Sequence, residues 1–146
     1  MPITDGPVEA VLRDGNTLYL GGKFFGIGPS VPYGASIGIA TGKHNPNFVN
    51  PNGSVNVVVS DGAGGWYIGG DFTRVGGVTR NHLARINADG SLHSWNPNSD
   101  GTVYSLCISG NTLYVGGAFS ELDGQPRNNS GAFNTTTGAL NSWNPG

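Results

Sequence analysis

Charge is scarce in this chain. Nine of its 146 residues are Asp or Glu and seven are Lys or Arg, for a formal net charge of −2. Seven scattered cations give no electrostatic footprint for nucleic acid, and none for an anionic membrane surface. No apolar run approaches the ~18 residues that span a bilayer. The opening Met1-Pro2-Ile3-Thr4-Asp5-Gly6 lacks the basic start and apolar stretch of a signal peptide, so localisation is not readable there. Cysteine is nearly absent, and Cys107 alone excludes an internal disulfide. Its strand-like setting, Val103-Tyr104-Ser105-Leu106-Cys107-Ile108, predicts a small buried hydrophobe rather than a nucleophile. No segment carries a helical period.

Glycine is abundant by contrast, at 26 residues, with nine prolines. The glycines follow no Gly-X-Y period, which excludes collagen. Aromatic residues at 10% and the low net charge exclude disorder. What remains is a single all-β domain of many short strands joined by tight turns.

The chain repeats itself. Tyr19-Leu20-Gly21-Gly22-Lys23-Phe24 returns as Tyr67-Ile68-Gly69-Gly70-Asp71-Phe72 and as Tyr114-Val115-Gly116-Gly117-Ala118-Phe119. The spacings are 48 and 47, and Val8, Val55 and Val103 keep the same period. Asn50-Pro51, Asn96-Pro97 and Asn144-Pro145 read as the ends of the copies, which span about residues 5–52, 53–100 and 101–146. In the second copy, Ser54 to Val59 and Trp66 to Phe72 read as strands, Thr73 to Asn81 as a loop, His82 to Asn87 as a third strand and Leu92 to Trp95 as a short fourth. The glycine pair inside a strand signals a bulge or a close backbone approach. Phe24, Phe72 and Phe119 are expected to fill the space between copies, with Trp95 and Trp143 towards the rim.

Four strands per 40–50 residues is the pattern of β-propeller blades. The run Val-x-x-Val, a turn, Leu-Tyr-Val-Gly-Gly-x-Phe, a Gly-bearing loop, Arg and an Asp-Gly or Thr-Gly hairpin resembles the delta-60 repeat propellers over nearly the whole chain. The resemblance implies a secreted or surface-attached protein and says little about activity, because those repeats are defined by packing residues. A weaker likeness runs to surface propellers with Gly-Gly-x-Phe blades, such as fungal bud-site landmark proteins.

Three blades do not make a ring, since closed propellers have four to eight. Each uncovered flank is an apolar face that soluble monomers seldom expose. The chain starts just before a first strand and ends just after a fourth, so two copies are expected to close a six-bladed ring as a homodimer. A piece cut from a longer propeller satisfies the same pattern.

The chemistry is sparse. His44, His82 and His93 fall at different places in their copies and have no metal-ligand spacing. Gly21-Gly22-Lys23 is not a phosphate loop, and no nucleophile elbow is present. Asp61 and Asp89 sit in turns, and Asn98-Ser99-Asp100-Gly101 reads as a turn before it reads as a set of cation ligands. Asn52-Gly53-Ser54, Asn128-Asn129-Ser130 and Asn134-Thr135-Thr136 fit the glycosylation pattern. Arg80-Asn81 and Arg127-Asn128 recur 47 apart, either as ties to carbonyls or to a carboxylate such as Asp71 or Asp123, or as a polar ligand pocket. The first copy replaces them with Gly26-Ile27-Gly28-Pro29-Ser30-Val31-Pro32-Tyr33-Gly34, the most distinctive surface segment. Tyr33, Arg80 and Arg127 are the candidate ligand-binding residues. No cofactor is called for.

The reading is a non-enzymatic recognition or structural module with a carbohydrate or protein ligand. The rival is a hydrolase with a metal on the propeller axis. Its axial residues would be Glu9, Asn56 and Tyr104, which supply one carboxylate per chain.

Overall fold

The computed structural model describes residues 4–25 and 32–146. The described residues form an all-β chain of small antiparallel sheets and contain no helix. The first repeat supplies β1 (Val8–Asp14), β2 (Thr17–Gly22) and β3 (Gly34–Gly38). The second supplies β4 (Val55–Ser60), β5 (Trp66–Gly70), the short β6 (Arg74–Val75) and β7 (Val78–Thr79), and β8 (Leu83–Ile86). The third supplies β9 (Thr102–Ser109), β10 (Thr112–Ala118), the short β11 (Glu121–Leu122) and β12 (Gln125–Pro126), and β13 (Ser130–Asn134). Each repeat forms one three-stranded sheet, β1-β2-β3, β4-β5-β8 and β9-β10-β13.

Local sequence explains the hairpins. Gly15 and Gly110 hold φ of 54° and 55° at the first position of two-residue turns, a backbone that other residues enter only with strain. In every first strand the register slips at the same place, leaving Glu9, Asn56 or Tyr104 bulged opposite the glycine pair. The three candidate axial residues are thus structurally equivalent although chemically unlike. From the Asn56 bulge, the side-chain amide donates to the Val103 carbonyl of the next repeat at 3.1 Å.

The expected fourth strand shrinks to one bridge per repeat: Ile37 with His44, Ile86 with Leu92, and Phe133 with Leu140. The cause is a side-chain turn in the next residue. Asn45, His93 and Asn141 each accept the N–H two residues on, at 3.0, 3.0 and 2.9 Å. That hydrogen bond competes with the ladder and turns the chain away. The expected loop of Thr73 to Asn81 holds the ribbon β6-β7, whose turn residues Gly76 and Gly77 both have positive φ. The third repeat matches it with β11-β12 through Asp123 and Gly124. Val75 and Leu122 of these ribbons are fully buried, so they belong to the core. The ribbons bridge to Pro51 and Ser99, which makes Asn50-Pro51 the counterpart of Asn98-Ser99. Asn50-Pro51 therefore stands two places away from the Asn96-Pro97 anchor with which the sequence pairs it.

The core lies between sheets. β4 packs on β1 and β2, and β9 packs on β4 and β5. At the first junction, Tyr19 and Phe48 meet Val55, Trp66, Ile68, Phe72 and Ile86. At the second, Tyr67 and Leu83 meet Val103, Leu113, Val115, Phe119 and Phe133. Phe72 and Phe119 fill the junctions as expected, whereas Phe24 is buried against Leu20, Ala35 and Ile37 of its own repeat.

The glycine pairs set the spacing. A Cβ on Gly21 would stand 2.6 Å from Val55 Cγ1, and one on Gly69 would stand 2.5 Å from Val103 Cγ1. Each second glycine abuts the first strand of its own sheet, where a Cβ on Gly70 would meet the Ser54 carbonyl at 2.0 Å. The first glycine thus admits the next repeat and the second closes the bulge. Gly69→Ala is expected to cost about 1–3 kcal/mol by overpacking. Adding Val103→Ala should recover part of that loss, and a double-mutant cycle by urea unfolding measures the coupling.

Candidate functional site

The three sequence-predicted ligand residues are not brought together. Tyr33 immediately precedes β3, and residues 26–31 of its distinctive segment lie outside the described residues. Tyr33 has φ of 65°, and its counterparts His82 and Asn129 have 63° and 60°. All three make the same pair of bonds. Their N–H groups donate to the Phe24, Phe72 and Phe119 carbonyls, and their carbonyls accept from Gly22, Gly70 and Gly117. Tyr33 is therefore the first repeat's version of a left-handed joint. His and Asn tolerate that conformation better than a bulky ring. The Tyr33 ring is partly buried, edge-on to Phe25 at 5.6 Å.

Arg80 and Arg127 are clamps within their own repeats. Arg80 Nη1 donates to the Thr79 carbonyl at 2.8 Å, and Nη2 donates to the His93 and Ser94 carbonyls. Arg127 repeats this on the Pro126 and Asn141 carbonyls. The acceptors are carbonyls, and neither Asp71 nor Asp123 takes part. The guanidinium holds the outer segment against the loop that carries it. Burial pushes the Arg80 pKa below its ordinary value, and the Nε of both arginines is buried without a partner.

The turn at Asp100 is also structural. Its carboxylate accepts the Ser120 and Glu121 N–H groups and the Ser120 hydroxyl. Asn52 does the same for Thr73 and Arg74, and Asp5 for Phe25. The Ser120 hydroxyl, then the Glu121 N–H, hold the Asp100 carboxyl below the usual carboxylate range. Among the described residues no three His, Cys, Asp or Glu side chains are grouped to hold a metal ion.

What sequence reasoning missed is a cleft of about 200 Å³ between the second and third repeats. Tyr67, Arg85, His93, Ser94 and Trp95 line one side, and Leu113, Phe133 and the segment Asn134 to Gly138 line the other. At the first junction Trp66 packs 3.6 Å from Tyr19 by ring centroids and stacks on Phe48. Leu113 stands where Trp66 stands one repeat earlier, and the smaller side chain leaves room. Trp95 borders the cleft, edge-on to Tyr67 and to Phe133, with its Nε1–H on the Gly138 carbonyl at 2.8 Å.

The polar wall is specific to the second repeat. Arg85 donates through Nε and Nη2 to Asp61 Oδ2 at 3.1 and 2.7 Å, and lies over the Tyr67 ring. Asp61 is nearly buried and also accepts the Ala63 and Gly65 N–H groups. The pair is neutral overall, so the cleft has little net charge. Burial pushes the His93 pKa down, with the Arg85 charge adding to it, and its Nδ1 accepts the Trp95 N–H. With Nδ1 accepting that bond, the ring N–H is the Nε2 one. Burial holds the Tyr67 hydroxyl above its usual pKa, against the pull of Arg85. These groups offer neutral hydrogen bonding beside aromatic and aliphatic walls. The one sequence signal for the cleft was the Trp66-to-Leu113 difference between equivalent strands.

Residues 64–92 match a family described as a β-propeller domain of unknown function, DUF5122. The matched stretch runs from the turn before β5 to the Leu92 bridge, which supports a β-propeller-type repeat. No curated protein matches the chain.

Two substitutions separate clamp from cleft. Arg80→Ala should destabilise the fold by about 1.5–3 kcal/mol through lost charged hydrogen bonds, read by urea unfolding. Leu113→Trp should fold with stability unchanged or raised, whereas the same enlargement in a closed core costs about 1–3 kcal/mol. A thermal melt reads the sign.

Proposed function

We propose that this protein is a non-enzymatic recognition and structural module of the delta-60 repeat kind. In this reading it carries three β-propeller blades and forms half of a six-bladed ring that a second copy closes. The observation that carries the proposal is a pair of exposed faces that match the two halves of its internal junctions. The chain makes one kind of junction twice, burying Val55 and Val103 to 2% and 0% exposure. The equivalent Val8 is 38% exposed and Val11 is 61% exposed. At the other end, Trp143 is half-exposed where its counterpart Trp95 is packed on the next repeat. A second copy supplies both missing halves and brings the blade number into the range of closed propellers.

Recognition rather than catalysis is supported by how the polar side chains are used. Arg80, Arg127, Asp61, Arg85 and Asp100 are bound to backbone or to each other. Their chemistry is spent on holding the repeats in shape. The cleft beside Tyr67 and Trp95 is the proposed point of contact for a carbohydrate or a polar protein side chain. The likeness to the delta-60 family favours a secreted or surface setting, which is an argument by analogy.

Light scattering on the purified chain tests the ring. The expected mass is about 30 kDa, from two chains of 15.0 kDa each. A single-chain mass at micromolar concentration would sink the proposal.

A further inference from the structure

We infer that the ring closes in one register, with Val8 of the second copy seated on Gly116 and the Cys107 thiol sealed inside the contact. This rests on the two-copy reading above and adds to it which atoms meet. The internal junctions are the template. Gly21 receives Val55 and Gly69 receives Val103, each at a distance no Cβ would allow. Gly116 is the third glycine of this series, and a Cβ there would meet only its own sheet, closest at Ser105 Oγ. Val8 is the valine left without a glycine, and it is exposed. Joining the two repeats the existing contact a third time.

The same register accounts for Cys107. It is exposed, contrary to the buried hydrophobe that its strand predicts. Its counterparts are Leu12 and Val59, which pack against the first and second junction cores respectively. Cys107 thus sits at a junction position that no described repeat covers. The thiol is exposed because the sheet face is, and closure covers it. Trp143 follows the same logic. Its counterpart Trp95 meets Phe133 and donates to the Gly138 carbonyl, so Trp143 meets Ile37 and the Gly42 carbonyl of the second copy.

A closed ring of two identical chains makes this contact twice, as a two-fold axis along the ring centre requires. No new kind of surface is needed, because the chain carries both halves of it.

The test uses the intact chain and three readouts: mass by light scattering, Cys107 modification by an aromatic disulfide reagent, and unfolding by urea. The native chain should have the mass of two copies, with Cys107 reacting at least about tenfold slower than in a dissociated variant, since the thiol then opens only through dissociation. Val11→Asp changes an exposed residue, and Gly116→Ala asks only Ser105 Oγ to rotate. Both should keep a cooperative urea transition, lose the mass of two and unmask Cys107. A one-copy mass for the native chain overturns the two-copy reading and this inference with it. A two-copy mass with a freely reactive Cys107, or with Gly116→Ala still dimeric and still protected, overturns the register alone.

Discussion

The whole arrangement depends on one close approach, a valine methyl of one repeat against the bare Cα of a glycine in the repeat before it. The sheets meet where Val55 reaches Gly21 and Val103 reaches Gly69. Only glycine admits the neighbouring strand to that distance, and it does so at the cost of a weaker strand. The cost is offset where the strands diverge. Phe72 and Phe119 fill the wider part of the gap, along with Trp66 in one junction and Trp95 in the other. Burying each such ring contributes on the order of 1.5–3 kcal/mol. Small residues at the narrow part and large ones at the wide part together define a wedge.

That wedge was legible in the sequence because it is built from residues of extreme size at fixed period. Gly21 and Gly69 announced the close approach, and Phe72 and Phe119 announced the filling. In the second repeat β4, β5 and β8 lie within a residue or two of their expected bounds. The turn chemistry was less legible. Asn45, His93 and Asn141 end the fourth segment by a shared side-chain turn, but two residue types hide one role. The ribbons β6-β7 and β11-β12 were hidden for a similar reason. Their glycines advertise a loop, while the burial of Val75 and Leu122 depends on a sheet distant in sequence.

The candidate site shows where such reasoning stops. An arginine recurring at the repeat period is visible at once, yet the acceptors that make it a clamp are carbonyls 13 or 14 residues away, and a carbonyl has no sequence signature. Tyr33 stood out as an aromatic in an unusual loop. Its backbone shows the same left-handed joint as His82 and Asn129, so the side chain varies while the role is fixed. The cleft was beyond reach for another reason. Its walls come from β5, β8, β10 and β13 and from the segments after β8 and β13, and its volume arises from Leu113 being smaller than Trp66.

The repeat also explains how a nearly uncharged chain acquires specificity. Three identical wedges would carry identical surfaces, so distinctive chemistry appears only where packing is already satisfied by something else. In the second repeat the Asp61–Arg85 pair occupies positions held by Asp14 and Ser36 in the first repeat and by Ser109 and Ala132 in the third. It forms on the outer side of the Tyr67 strand, where glycine is not required and an ion pair with one nearly buried member can be neutralised in place. The same freedom let Leu113 replace Trp66 without breaking the glycine contact below it. Positions near Gly21 and Gly69 are constrained by the approach of the next repeat. Positions farther from that contact are free to differ, and the cleft lies among them.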